Sequence, residues 1–541
     1  MGTESNIVHE DDSSLSSHSI QLRKAFQDCS DGIERLRQAC THGSGPPFFD
    51  GITSELVHSA WIAAERYQDE RKDAIDDVRR RLHVFNRGDT APVIDIINVN
   101  DDGLLSLEAT RDRDAFLHHY NEATQMKPHQ FKLRYCTRNV PCIIRGLSES
   151  DFSYVSSNWR SRNNHVNVEW FRKYVGDNTK VPVRIDGHEP CANTSYKQSD
   201  NGLDSDGRAK ECETIDTTLL EWIDYCHQNK QRSRHAEIKE LERKPIELGS
   251  TGYLKDWHLL QLLSSKQFSQ CDDSSPLYSV PSIYERDLLN NFLTRYTEGD
   301  YKFVYWGPHE SRTNLHSDVL HSFSWSYNVV GKKRWTFYVP GDNDGEGGTS
   351  DEETFELIQE TGEMIFVPSK WKHEVVNLVE TLSINHNWIT SSNIDFTYDC
   401  LLTEISSIEK EIKAWGIVSD DDYEARENML RGCVGLDVSM LVLMVLLELI
   451  ELLGALFSVG DSPDPTLSFL GEDSLWECFY SVFRLRSVLE DILFTNPAQS
   501  DNVNVMQRLA AVLDSWEMAS QITSHAEFCL ELSARLQKLN L

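Results

Sequence analysis

The chain has no C-x-x-C pair. Its 12 cysteines are scattered over 541 residues, from Cys29 and Cys40 through Cys136, Cys142 and Cys191 to Cys529. Zinc ribbons and fingers need paired spacings, so this pattern excludes them, and it suggests no compact disulfide framework. Reduced thiols in the cytosol, or in the nucleus, fit it best. Positive charge is also scarce: 53 Lys and Arg stand against 86 Asp and Glu, for a net charge of −33. A nucleic-acid phosphate backbone is gripped by clustered cations, so no direct nucleic-acid binding is expected. An acidic protein suits a basic partner, such as a Lys-rich protein surface. The opening MGTESNIVHEDDSS has no apolar stretch of the secretory kind, and Asn6 stands where a myristoylation motif carries Ser or Thr. The sequon at Asn193 is accordingly expected to stay bare. One long apolar run exists, from Val438 to Gly460. It is long enough to span a bilayer, but Glu448 and Glu451 lie near its middle, where acidic side chains are costly. A buried helix of a bundle is expected there, and no membrane.

A composition of 39% hydrophobic and 10% aromatic residues is that of a folded protein, and its length calls for about two or three domains. Residues 1–19 are polar and acidic, as in a disordered tail. Residues 20–90 read as a helical hairpin. Leu22, Phe26, Cys29, Ile33, Leu36 and Cys40 recur at helical steps, GSGPPFFDG breaks the pattern, and a second stripe runs from Leu56 to Phe85. Residues 91–399 form the expected core, opened by a strand from Val93 to Val99. A helix around Asp114 to Thr124 and the strand PCIIRGL follow, and residues 192–215 and 228–247 read as surface loops around the helix TLLEWIDY. Residues 400–541 are expected to be helical, with helices from Leu401, at Val438–Gly460, near Ser474–Thr495 and over Val503–Leu541.

The chain is organised around residues 301–390. A His-x-Asp pair, His316 and Asp318, lies in an extended stretch, where residues two apart project to one face. A further His follows in another β-like run, either His373 in WKHEVVNL or His386 in SINHNWI. Two imidazoles and a carboxylate on one face of a metal, with other positions open, is the arrangement of non-haem Fe(II) oxygenases. FSWSYNVV and RWTFYVP alternate on either side of Gly331, a hairpin signal, and GEMIFVP, HEVVNL and TLSINHNWI add short strands. Together they make a small β-barrel, over about 250–390, with a ligand site at its mouth.

HSD, then G-x-K-x-W ending in VP, then GEMIFVPSKWKH and NHNW closely resemble the JmjC (cupin-like) 2-oxoglutarate oxygenases, in particular their lysyl hydroxylases. VPCIIRGL, VEWFRKYVGDNTKVPV, TLLEWIDY and STGYLKDWHL support this in order, so the likeness covers roughly Val93 to Trp388. It implies an α+β fold built on a double-stranded β-helix, binding Fe(II), 2-oxoglutarate and O2. The distal ligand then follows V-P-x-x-W-x, which selects His373 beside His316 and Asp318, and leaves His386 outside the metal site. His321 and His258 become second-shell or core residues. Lys333 matches the G-x-K lysine that pairs with the far carboxylate of 2-oxoglutarate, and Lys332 alternates away from it. Thr313 and Tyr253 match groups that reach the same cosubstrate, and Asn387 a polar residue near it. The implied reaction hydroxylates a lysine side chain of a protein, the translation termination (release) factor in the animal members. A homodimer through the C-terminal helices is implied as well. Other family members demethylate N-methyl-lysine, usually with zinc-binding reader modules that this chain lacks, and an inactive cupin-like scaffold is a third reading. The loop after Pro340, GDNDGEGGTSDEE, departs from the resemblance in looking shorter than that of the animal hydroxylases, and such loops select substrates.

Overall fold

The computed structural model describes residues 54–85, 93–99, 105–107, 128–185, 213–239, 252–265, 277–284, 286–297, 299–341, 353–414, 422–461 and 472–490. The expected tail, the first arm of the hairpin, the helix around Asp114, the loop after Pro340 and the helix over Val503–Leu541 lie outside them. The described residues fall into two compact units: those within Gln68–Asn291 and Gly299–Thr397, and those within Met1–Tyr67, Phe292–Glu298 and Tyr398–Leu541.

The first unit holds fourteen strands: β1 (Asp95–Val99), β2 (Leu105–Leu107), β3 (Cys142–Arg145), β4 (Lys180–Ile185), β5 (Glu213–Thr218), β6 (Gly252–Trp257) and β7 (Lys302–Gly307), then β8 (Arg312–His316), β9 (Phe323–Val330), β10 (Lys333–Tyr338), β11 (Thr354–Gln359), β12 (Met364–Val367), β13 (His373–Asn377) and β14 (Thr381–Trp388). One sheet runs β2-β1-β3-β12-β9-β14-β7-β6-β4-β5 and the other β11-β10-β13-β8. From β7 onward the chain winds between them. Strands β7, β9, β12 and β14 join the large sheet; β8, β10, β11 and β13 make the small one. This winding is a double-stranded β-helix, so the expected α+β barrel is observed.

Period-2 alternation decides what each face of the large sheet meets. In β14, Leu382, Ile384 and Trp388 enter an aromatic core outside the barrel, with Phe323, Trp325 and Tyr327 of β9 and Val304 and Trp306 of β7. The intervening residues, Ser383, Asn385 and Asn387 of β14 and Ser324, Ser326 and Asn328 of β9, are polar and point inward. Facing them, Ile365 and Val367 of β12 pack with Trp335 and Phe337 of β10 and with Phe355, Trp371 and Val375. The barrel interior therefore holds an apolar cluster beside its polar residues.

Several expectations shift. The second arm of the hairpin is two helices, Ser54–Glu65 and Tyr67–Phe85, and they belong to different compact units apart from Tyr67. Val78 and Leu82 of the longer helix join this apolar cluster, which is why it goes with the strands. Its Arg71 pairs with Asp395 at 2.6 Å and lies 4.1 Å from the Phe396 ring centroid. Part of the expected loop 192–215 is strand: Glu213–Thr218 pairs antiparallel with β4 along its whole length. The TLLEWIDY helix starts after it and continues through the expected second loop to Lys239. Backbone pairing and helix propagation hold these polar segments in place of an apolar stripe.

In the second unit, Val438–Asp461 is a helix, packed with Glu472–Glu490. Leu441, Val442, Leu443, Val445 and Leu452 are buried, whereas Glu451 is exposed and 3.7 Å from Arg295. Arg484 is buried over the Tyr67 ring, 3.3 Å from its centroid. Among the described residues, no single helix is long and apolar enough to cross a membrane.

Candidate metal centre

His316 ends β8, His373 begins β13, and the two are register partners across the small sheet. Their rings lie 4.3 Å apart by centroid. Asp318 follows in extended conformation (φ −63°, ψ 148°), which keeps its carboxylate on the side of His316; Nε2 and Oδ1 are 4.0 Å apart. One ligand atom from each of His316, Asp318 and His373 lies within 4.8 Å of the other two.

The donor chemistry follows from the second nitrogens. His316 Nδ1 is 2.8 Å from the Asn314 carbonyl oxygen, and His373 Nδ1 is 3.0 Å from that of Trp371. A carbonyl oxygen only accepts, so both Nδ1 atoms carry the proton and donate, and it is Nε2 of each ring that is left to offer a lone pair to a metal. Burial, helped by the neighbouring His373 and Lys255, holds His316 well below the usual imidazole range, so its ring is neutral. Ser324 donates to Asp318 Oδ2 at 2.6 Å, fixing the carboxylate as metal-binding carboxylates are commonly fixed. Trp335 stacks against His373 at 5.5 Å. Two imidazole lone pairs and one carboxylate, converging and held from behind, fit a divalent transition-metal ion.

The approach to the triad contains strained backbone. Leu320 (φ 57°) and His321 (φ 45°) are consecutive left-handed residues just after Asp318, and such strain gathers where a site imposes it.

Lys333, at the start of β10, is 2% exposed. Its Nζ donates to Ser383 Oγ at 2.7 Å, and among the described residues it has no carboxylate partner. Burial, with Lys255 nearby, lowers its pKa to about 7. An unpaired ammonium at such depth calls for an anionic ligand. Lys332 points the other way and meets Glu360 at the surface, 2.5 Å away. Gly331 makes the turn at φ +95°, and a Cβ there would sit 2.3 Å from the Glu380 carbonyl oxygen.

Thr313 lies three residues before His316, a spacing that would turn the two to opposite faces of a regular strand. The structure resolves this with a bulge: Val375 pairs with Thr313 and His373 with His316, two residues on β13 against three on β8. Thr313 thus shares the inner face. Tyr253 is buried on β6 within hydrogen-bonding reach of Asn377, and burial raises its phenol pKa; Asn377 is itself the register partner of Lys333. Asn387 donates to Ser322 Oγ at 3.1 Å and pairs in register with Ser324, which places it by the metal end rather than by Lys333. His386 is on the opposite face of β14, 2.6 Å from the Tyr278 hydroxyl and with its ring 4.1 Å from that of Trp325. His321 is mostly buried, with its pKa lowered to about 4 by burial. His258 corrects its expectation: it is partly exposed and 3.0 Å from Asp300, so it is neither a core residue nor a support of the triad.

Ser383, Asn377, Ser324 and Lys255 belong to this interior and were not singled out by sequence reasoning. The signal for Lys255 was available, since it stands two residues after Tyr253 on the same strand.

Comparison with known proteins agrees with this geometry. A family described as "JmjC domain, hydroxylase" matches residues 350–388, which include His373. The zebrafish protein named 2-oxoglutarate and iron-dependent oxygenase JMJD4 is 36% identical over 208 residues, 34% of this chain and 47% of its own length. The Drosophila melanogaster JMJD4 homolog is 30% identical over 358 residues, 60% of this chain and 75% of its own. The Arabidopsis thaliana protein named arginine-specific demethylase JMJ20 is 28% identical over 345 residues, 57% and 65% of the two chains. The alignments take in about half the length of the zebrafish and chicken relatives, 47% of each. The chain belongs to the JmjC family of 2-oxoglutarate and iron-dependent oxygenases, close to JMJD4.

Proposed function

We propose that the protein is an Fe(II)- and 2-oxoglutarate-dependent protein hydroxylase that acts on a lysine side chain, with a translation termination factor as its substrate and the cytosol as its place of work. The observation that carries the reading is the pairing of a converging His316–Asp318–His373 set with a buried Lys333 in the same barrel interior.

In this reading the Nε2 atoms of His316 and His373 and one oxygen of Asp318 hold the iron, and Lys333 pairs with the far carboxylate of 2-oxoglutarate. Iron and 2-oxoglutarate, when bound, would supply the electrons that activate O2. The chain's own part is positional. The two carbonyl-anchored imidazoles and the Ser324-held carboxylate present a fixed face, so little reorganisation is left for the moment of reaction. Lys333 takes up a proton as the dianion arrives, because a cation that burial disfavours becomes favoured beside a carboxylate. Thr313, Tyr253 and Asn387 line the interior as further polar contacts. The apolar cluster of the barrel interior excludes bulk water from the triad.

The test incubates the purified chain with Fe(II), 2-oxoglutarate and a recombinant termination factor, followed by peptide mass spectrometry. A lysine peptide heavier by one oxygen atom, and lost in an Asp318→Ala variant, is the expected result. A relative named arginine-specific demethylase keeps N-demethylation as the second reading, and methylated arginine and lysine peptides in the same assay would lose a methylene mass. Succinate formed without any modified peptide leaves the chemistry and removes the substrate. Metal binding without turnover favours a scaffold.

A further inference from the structure

Outside the triad, Lys333 and the groups already matched to the cosubstrate, the barrel interior holds a further cation among the described residues. Lys255 lies on β6 and is 6% exposed. Its neighbours Leu254 and Trp257 enter the aromatic core, so alternation turns Tyr253 and Lys255 inward together. The strand bulges at Asp256: register shifts between Leu254 and Trp257, and Asp256 takes φ 54°. That bulge puts the Asp256 carboxylate at the exposed edge, where it accepts the Tyr305 hydroxyl at 2.8 Å. Tyr305 is thereby fixed with its ring toward Lys255, whose Nζ lies 5.4 Å from the ring centroid and 6.0 Å from that of Tyr253.

Register gives the position along the barrel. Tyr305 pairs with Ser383, the residue that holds Lys333 Nζ. Tyr253 lies one step further from the triad, beside Gly307, where a Cβ would meet Tyr253 at 2.6 Å and Asn377 at 2.7 Å. Lys255 therefore stands between the Tyr253–Asn377 end and the triad. Its charge acts on both neighbours, lowering the pKa of Lys333 and of His316. A second ammonium beside Lys333, near residues suited to a metal dication, is a crowding of like charge that a bound dianion relieves.

We propose that Lys255 is a second cosubstrate-binding cation: it contacts the carboxylate of a dicarboxylic 2-oxo acid that lies nearer the triad, while Lys333 takes the farther one. This rests on the 2-oxoglutarate reading above.

The experiment uses the full chain loaded with Mn(II) in place of iron, and measures calorimetric binding of 2-oxoglutarate and of 2-oxopentanoate, which keeps the 2-oxo acid end and lacks the far carboxylate. Lys255→Met is expected to weaken 2-oxoglutarate by about tenfold or more, the loss of one charge-assisted contact, and to weaken 2-oxopentanoate as well. Lys333→Met is expected to weaken 2-oxoglutarate alone. Lys255→Arg should recover part of the affinity. The split between the two ligands is a readout that a merely structural lysine would not give; Lys255→Gln serves if the methionine variant does not fold. Binding of 2-oxoglutarate by Lys255→Met within about twofold of the parent overturns the proposal. So does a loss confined to 2-oxoglutarate, which would assign Lys255 to the far end. If the parent itself binds no 2-oxo acid, the proposed function falls too. A binding parent with an indifferent Lys255 variant removes Lys255 alone.

Discussion

Single atoms decide what the triad can bind. Because the Asn314 and Trp371 carbonyls hold the Nδ1 protons, replacing either imidazole removes a lone pair that no neighbouring residue can supply. His316→Ala, Asp318→Ala and His373→Ala are expected to abolish tight Mn(II) binding, followed by paramagnetic resonance. Ser324→Ala, which frees Asp318 Oδ2, should cost about tenfold in metal affinity; unchanged affinity would deny that serine its orienting role. Lys333 gives a proton prediction. Its pKa is about 7 in the fold against 10.5 ordinarily, so between those values the unfolded chain carries a proton that the folded chain does not. This group therefore favours the folded state increasingly as pH rises through that window. Binding of 2-oxoglutarate at about pH 8 should draw a proton onto Lys333. Calorimetry in two buffers of different ionisation enthalpy reads that uptake, and identical heats in both would argue that Lys333 stays as it is.

At the scale of elements, one turn and one bulge aim the site. Gly331 sits at φ +95° against the Glu380 backbone, a conformation and a clearance that admit no Cβ. Gly331→Ala should destabilise the fold by roughly 1–3 kcal/mol, seen as a lower thermal midpoint, and should disturb the start of β10 where Lys333 stands. The extra residue in β8 brings Thr313 onto the same face as His316. Deleting Leu315, the exposed member of that stretch, would leave Thr313 two residues before His316, so regular alternation would keep both on one face without the bulge. Binding of 2-oxoglutarate close to that of the parent is the expected result, and a large loss would show that the bulge has a further role. Behind the large sheet, Trp306, Trp325 and Trp388 are almost wholly buried, and Trp388→Ala should cost about 3–5 kcal/mol by the cavity it opens.

For the whole molecule, the net charge of −33 sets the terms of encounter with any partner. A Lys-rich protein substrate would be steered by that field, and added salt screens it. The KM for a basic protein substrate is expected to rise with ionic strength more steeply than that for 2-oxoglutarate, whose contacts lie inside the barrel. Equal salt dependence of the two would remove charge from the account of substrate choice. The helix Val438–Asp461 shows the same logic within its own unit: its apolar residues are buried, and Glu451 reaches the surface beside Arg295.

The chain by itself determined the alternation of β9, β10 and β14, the positive-φ turn at Gly331, and the H-x-D pair with a downstream His, because period 2 and side-chain chemistry are local properties. It also separated Lys332 from Lys333, since adjacent residues of a strand face opposite ways. Only the tertiary structure decided between His373 and His386 on physical grounds. Both lie in strands, and what separates them is that β13 faces β8 across the small sheet while His386 turns into the aromatic core with Trp325. The bulge that reconciles Thr313 with His316, and the approach of Lys255 to Lys333 from a strand laid down well before it, likewise depend on which strands pair. Pairing is set by contacts between residues distant in sequence, which no local pattern encodes.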